Sequence, residues 1–238
     1  MPLTSFGIGV GHGLEFVRGP VGGAASPLLN DLAAYWKLDE TSGTRIDSAG
    51  SNNLTDNNTV GSATGKLGNA ASFVAANSEY LSVASTPGLQ SSSAFTLAFW
   101  VKPNTLSPTA QGLLFKGGAS PQIEYLIRLN TNTIDFFVNS ASDFAEVTGI
   151  NTTEWWFVVA YYNGTTNLWV QSESGTLLTN TGPAVTHATT TNPLEFGRYW
   201  SAAYYSGRID EVGIWQRVLT SSERTQLYNS GSGLTYPF

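Results

Sequence analysis

Residues 94–102 read AFTLAFWVK, and their alternation decides the fold. Phe95, Leu97, Phe99 and Val101 fall on one face of an extended chain, with Thr96, Ala98, Trp100 and Lys102 on the other. Four more strand-like stretches follow, QIEYLIRLN (122–130), TIDFFVN (133–139), WWFVVAYY (155–162) and TNLWVQSE (166–173). Between them lie turn residues, including KGGASP and NTNT. YNGTTN (162–167) places an Asn-Gly pair between two strong strands, a hairpin signal. One helix stands out in LTSSERTQLYNSG (219–231): Thr220 and Glu223 have capping-box spacing, and Gly231 can end the helix shortly after Asn229. The fold class is therefore all-β: a two-sheet antiparallel sandwich with one short C-terminal helix.

Composition narrows the function. Of 238 residues, 12% are charged, 41% are hydrophobic and 12% are aromatic, which is too apolar for a disordered chain. The net charge is −6 and the eleven basic residues are scattered, so there is no stripe to neutralise nucleic-acid phosphates or to hold an anionic membrane. With no cysteine, disulfides, thiolate zinc sites and cysteine nucleophiles are excluded. Two histidines, His12 and His187, argue against zinc catalysis. The longest apolar run, 155–162, is too short for a membrane helix, so no membrane insertion is expected. No apolar signal region precedes a cleavage site near the N-terminus, which reads as synthesis in a cytoplasm without a signal peptide. The N-x-S/T sequons at Asn53, Asn151 and Asn163 carry no weight in so Asn- and Thr-rich a chain.

Residues 1–31 differ from the rest, with seven of the 25 glycines, three of the ten prolines, and only Glu15, Arg18 and Asp31 charged. They read as a glycine-rich N-terminal arm, with the sandwich over 32–238. Strand 155–162 is apolar on both faces, so its second face needs a cover: the helix, the arm through FGIGVGHGLEFV (6–17), a ligand or a partner.

Six blocks occur in order: LAAYWKLDETSGTRIDSAGSNNLT, GKLGNAASFVAANSEYLSV, SAFTLAFWVKP, TTEWWFVVAYYNGTTNLWVQ, PLEFGRYW and GRIDEVGIWQRVLTSSERTQLYNSG. Together, over roughly 32–229, they resemble the laminin G-like, concanavalin A-like lectin/glucanase jelly roll of bacterial and phage type. Residues 1–31 match nothing in that pattern, and the Asn-Gly hairpin that often follows the strand reading LWVQSESG here is altered. The resemblance implies a jelly roll, which hosts lectins, glucanases and structural parts alike. Its catalytic members carry a Glu-x-Asp-x-x-Glu strand, and no Glu here has Asp two residues on; Asp135 in TIDFFVN stands alone. Asp210 and Glu211 in SGRIDEVGIW (206–215) are adjacent on an expected strand. Regular alternation sends them to opposite faces, with Glu211 toward solvent, and Asp39 and Glu40 fail as a pair for the same reason. There is no G-x-S-x-G elbow, and GSATGKL (61–67) falls short of a phosphate-binding loop. The chain reads as no enzyme.

Two site readings remain. The resemblance implies structural Ca²⁺ at the sandwich rim, on Asp39, Asp47 and Asp210; the plainer alternative has Asp210 capping loop amides or pairing with Arg45 or Arg208, with the other two as turn residues. GRYWSAAYYSG (197–207) places Tyr199, Trp200, Tyr204 and Tyr205 in one loop, as a glycan or partner contact or as a cover for the sandwich edge. The function expected is a non-catalytic structural or binding module. Its first setting is a phage virion, as a capsid decoration or a tail- or fibre-associated protein, with other virion subunits or its own copies as partners and cell-surface glycans as ligands. The alternative is a carbohydrate-binding or adhesion module of a bacterial surface system.

Overall fold

The alternation at 94–102 becomes the strand Phe95–Pro103, whose Phe95, Leu97, Phe99 and Val101 point between two sheets. The computed structural model describes residues 25–118, 122–200 and 202–238. One sheet runs Leu177–Ala184, Thr165–Ser172, Trp156–Tyr162, Phe95–Pro103, Gly207–Trp215, Asn69–Phe73, Gly61–Thr64, and Leu32–Trp36 adds an eighth strand beside Gly207–Trp215. The other runs Phe144–Thr148, Thr133–Val138, Ile123–Asn130, Gln111–Gly117, Leu194–Phe196, Tyr80–Val83, Thr55–Asn57. Neighbouring strands pair antiparallel throughout. This is the jelly-roll sandwich that the pattern implied. The core between the sheets is built from inward residues of both, such as Trp156, Val158 and Ala160 against Ile127, Phe136 and Val138. The Asn163-Gly164 turn joins Trp156–Tyr162 to Thr165–Ser172, with Gly164 at φ +104° where a side chain would be strained.

The doubly apolar strand is covered from within the chain. Phe157 and Val159 face outward together with Ala98, Trp100 and Trp215, and a third layer lies over them. That layer consists of the helix Ser221–Tyr228 and the C-terminal residues Leu234, Tyr236 and Phe238. Tyr228 stacks on Trp100 with centroids 5.9 Å apart, and its hydroxyl donates to the Ser172 carbonyl at 2.8 Å. Phe238 meets Tyr35 edge-on at 5.3 Å. The capping box forms as expected: Glu223 N–H donates to the Thr220 hydroxyl, and the Glu223 carboxylate accepts from Thr220 N–H. The helix ends earlier than a cap at Gly231 would place it, because Asn229 itself adopts the left-handed cap at φ 47°.

Residues 25–31, assigned to the arm, dock on this layer. Leu28 is fully buried, and its carbonyl accepts from Trp215 Nε1 at 2.7 Å. Arg217 donates to the carbonyls of Pro27 and Asn30. The apolar stretch 6–17 proposed as a cover lies outside the described residues.

If the third layer is part of the cooperative fold, Leu227→Ala should cost about 2–5 kcal/mol in urea unfolding, the range for a buried Leu→Ala change. A loss below about 0.5 kcal/mol, the scale of a neutral surface substitution, would show that the helix is an independent appendage.

Candidate functional site

The carboxylates Asp210 and Glu211 do not alternate. In the strand Gly207–Trp215, Asp210 pairs with Trp100 and Gly213 with Ala98, so the register slips by one residue between them. Glu211 sits in that bulge at φ 51°. The extra residue turns Glu211 to the helix-covered side that Trp100 and Ala98 occupy, which corrects the expectation of opposite faces. It also corrects the expectation of a solvent-facing Glu211, which is only 4% exposed. Its carboxylate accepts a short hydrogen bond from the Tyr35 hydroxyl. Asp210 Oδ2 accepts from the amides of Lys66 (2.7 Å) and Leu67 (3.0 Å), and Oδ1 has no partner among the described residues.

Burial pushes the Asp210 carboxyl up to about 8, aided by the charges of Glu211 and Asp39 and opposed by the two amides. Burial likewise pushes Glu211 up to about 7, against the hydrogen bonds from Tyr35 and Thr235. The space beside Glu211, walled by Tyr35, Trp100, Trp215, Leu227 and Leu234, measures about 10 Å³. No sugar ring fits there, so this is a buried acid pair and not an exposed acid and base.

The three aspartates proposed for calcium do different work. Asp47 takes the amides of Tyr35, Ala49 and Asn52 and the Asn52 side chain, holding its own loop closed. Asp39 accepts from the Asn69 amide. Asp39 and Asp210 meet the same 65–69 turn, and a Cβ at Gly65 or Gly68 would run into their carboxylates. The turn thus offers N–H groups to the acids, whereas calcium needs free carboxylate and carbonyl oxygens. Among the described residues, no group of three or more His, Cys, Asp or Glu could hold a metal ion. The donor set fits calcium poorly. Of the plainer alternatives, amide capping by Asp210 is what forms; Arg45 bonds the carbonyls of Gly43, Val60 and Gly61, and Arg208 that of Thr64.

The aromatic loop folds into a small hairpin, Arg198–Tyr199 paired with Ala203–Tyr204. It divides the four aromatics. Tyr205 turns inward, fully buried beside Phe73 with centroids 6.1 Å apart, and so leaves the contact set. The reason is the strand that follows: Tyr205 N–H donates to the Gly197 carbonyl, closing the hairpin onto the core. Tyr199 is largely buried, meeting Phe115 edge-on at 6.2 Å. Trp200 lies against Tyr199 at 5.1 Å and takes φ 50°, a backbone state rarely adopted by a bulky residue.

Tyr199, Trp200 and Tyr204 form one wall of a groove of about 650 Å³. Pro108, Thr109 and Ala110 and the residues Ala75 and Ala76 complete its lining. Arg198 braces the hairpin from behind, paired with Glu195 and lying 3.4 Å over the Tyr80 ring. Burial works against its charge, but the hydrogen bonds to Glu195 and Tyr204 outweigh burial and hold the guanidinium well above its ordinary value. Sequence reasoning missed the rest of the lining, because 75–76 and 108–110 are distant in the chain and chemically plain. The Glu195–Arg198 spacing in PLEFGRYW was the one available signal.

A second polar cluster also escaped notice. Lys116 and Glu124 form a fully buried ion pair at 3.1 Å. Glu124 accepts from Ser91 N–H and Oγ and from Thr190 N–H, and His187 Nε2 lies 2.6 Å from Ser91 Oγ. The carboxylate contacts the serine and not the far side of the imidazole, so it does not orient a base as a hydrolytic triad requires. Burial pushes the His187 imidazole below its ordinary value, against the charge of Glu124.

The acid pair makes a pH prediction. The folded chain keeps protons that the unfolded chain releases above about pH 4. Stability from this pair is therefore full at low pH and is lost as pH rises from about 4 toward the folded-state value near 8. Asp210→Asn should melt with the parent at pH 4 and above it at pH 8; an unchanged pH slope would refute the buried, protonated pair.

A family model described as the concanavalin A-like lectin/glucanases superfamily matches residues 75–223. No match was found among curated protein sequences. Among solved structures, the binding domain of Paraclostridial Mosquitocidal Protein 1 superposes with a TM-score of 0.65 over 85% of this chain at 14% identity. The chain spans about half of that protein, 53%. Domain 4 of AbnA, a GH43 extracellular arabinanase from Geobacillus stearothermophilus solved with arabinotriose, gives a TM-score of 0.59 at 21% identity, covering 82% of this chain and 97% of that one. The binding domain of Botulinum Neurotoxin DC, in complex with SialylT, gives 0.59 at 13% identity, over 84% of this chain and 51% of that one. At these identities the likeness is one of fold. With the family model matching more than half of its length, the chain belongs to the concanavalin A-like lectin/glucanases superfamily.

Proposed function

We propose that this chain is a non-catalytic glycan-binding module whose sugar lies in the groove under the 198–204 hairpin. The observation that carries this reading is the groove itself: concave, about 650 Å³, mostly apolar, with Trp200 and Tyr204 in its wall. Those are the features of a small-molecule site, and aromatic rings with polar tips suit the apolar face and hydroxyl rim of a sugar. Two structures of the same fold, the arabinanase domain with arabinotriose and the neurotoxin domain with SialylT, support the ligand class. The acid pair Asp210–Glu211 has no access to a ligand, which supports binding over hydrolysis.

The setting proposed for the module is a phage virion, as a capsid decoration or a tail- or fibre-associated part that meets its own copies or other subunits. The glycine-rich sequence of residues 1–24 and the cysteine-free composition support it. The alternative setting is a bacterial surface system. No calcium is assigned in this reading: each candidate aspartate already accepts at least one backbone amide, and Asp210 Oδ1 alone is buried without a partner among the described residues.

On a glycan array and by calorimetry, Trp200→Ala should weaken binding about tenfold, roughly 1.4 kcal/mol, while Tyr205→Phe leaves affinity unchanged. A wild-type array without hits would overturn the glycan reading. EDTA should leave the melting temperature unchanged, because a metal bound to the native state would raise it; a drop of several degrees would restore the calcium site. Sedimentation of the full chain should show an oligomer that becomes monomeric when residues 1–24 are deleted, the docked residues 25–31 being kept. A monomeric full chain would remove the support for the virion setting.

A further inference from the structure

Asn163-Gly164 is the one Asn-Gly pair in the sequence, and it joins Trp156–Tyr162 to Thr165–Ser172. The backbone nitrogen after an asparagine is tethered close to that asparagine's side-chain carbonyl carbon, so attack of one on the other needs no second molecule. Access, the state of the nitrogen and the polarity of the carbonyl decide whether it happens. Access is open here. Asn163 is exposed, and a Cβ built on Gly164 meets nothing within 4 Å. The nitrogen is also uncommitted. Asn163 N–H donates to the Thr165 carbonyl at 3.4 Å, and Val185 N–H donates to the Gly164 carbonyl at 3.2 Å. Gly164 N–H itself donates to no acceptor among the described residues, so no hydrogen bond is broken when its proton is removed.

The carbonyl is polarised. Asn163 Oδ1 accepts from Thr165 Oγ1 at 3.1 Å and from Asn167 Nδ2 at 3.0 Å. Negative charge develops on that oxygen when a nitrogen adds to Cγ, and donors already aimed at it stabilise the tetrahedral oxyanion. Asn167 is held in advance: it is 6% exposed, and its own Oδ1 accepts from Thr181 Oγ1 on the next strand at 2.9 Å. Asn139-Ser140 offers a contrast. The Asn139 amide nitrogen donates to the Thr186 carbonyl, its Oδ1 accepts from no donor among the described residues, and the residue after it carries a side chain.

From the open turn, the free amide and the two donors we infer that Asn163 is a self-modification site, where the folded turn promotes conversion of the side-chain amide to a carboxylate through Thr165 and Asn167. The Gly164 nitrogen gives its proton to water or hydroxide and bonds to Asn163 Cγ. The Cγ–Nδ2 bond then breaks, and Nδ2 takes a proton from water and leaves as ammonia. A second water opens the resulting succinimide at either carbonyl, giving aspartate or isoaspartate at position 163. No oxidant or reductant is involved. The aspartate form keeps both donors, now in charge-assisted hydrogen bonds, so the hairpin survives the change. The isoaspartate form adds a methylene to the main chain and shifts the Gly164 carbonyl from Val185 N–H.

The test is peptide mass spectrometry on the folded full chain after incubation at about pH 6 and at about pH 8. Conversion at position 163 should outpace conversion at position 139, and should rise about tenfold or more between the two pH values, because the nitrogen reacts only after losing its proton. Thr165→Val removes one donor and should slow conversion about threefold or more, and Thr165→Ser, which keeps the hydroxyl, should restore it. A melting curve for each variant at the incubation temperature confirms that the folded form is being compared. Asn163→Gln should abolish the signal and serves as the blank. Conversion in urea-unfolded chain with none in folded chain would overturn the inference. So would a Thr165→Val chain that converts at the parent's rate or faster.

Discussion

The structure depends on a sheet that is apolar on both sides. Trp156–Tyr162 presents Trp156, Val158 and Ala160 to the inter-sheet core and Phe157 and Val159 to the outside. An outward face of that kind has to be removed from water, and burial of its aromatic area is the largest favourable contribution available there. The chain supplies the cover itself, with a capped helix, a C-terminal segment ending in Tyr236 and Phe238, and the docked residues 25–31. The sandwich is therefore three layers deep on one side.

That third layer accounts for the carboxylates. Gly207–Trp215 runs through the centre of the covered sheet, so whatever side chains it turns outward become buried. The bulge at Glu211 turns out two acids in succession, and the fold answers with a tyrosine hydroxyl for one and a pair of turn amides for the other. Groups that would be reactive on a surface become structural when covered, and their titration then reports on the packing of the layer.

On the other side, the 197–207 loop shows how a rigid sandwich presents a variable site. Tyr205 anchors the loop to the core beside Phe73. Tyr199 and Trp200 are then held over the neighbouring sheet, and the rest of the groove lining comes from two other connections, 75–76 and 108–110. Half of the groove was legible as an aromatic cluster. The rest was alanine, proline and threonine, residues that carry no signal until the fold sets them in the same groove as a tryptophan.

The sequence by itself determined the two-sheet class, the inward residues of Phe95–Pro103, the Asn163-Gly164 hairpin, the capped helix and the absence of thiol or polybasic chemistry. These are local properties: periodicity, turn stereochemistry and side-chain charge are written within a few residues. Only the tertiary structure decided which cover the outer face receives, that Asp210 and Glu211 share a side, that Asp47 serves its own loop, and which three of four aromatics face the groove. A bulge is a mismatch between two strands, and a groove is a space between three loops. Neither exists in any one segment, so neither can be read before the segments are brought together.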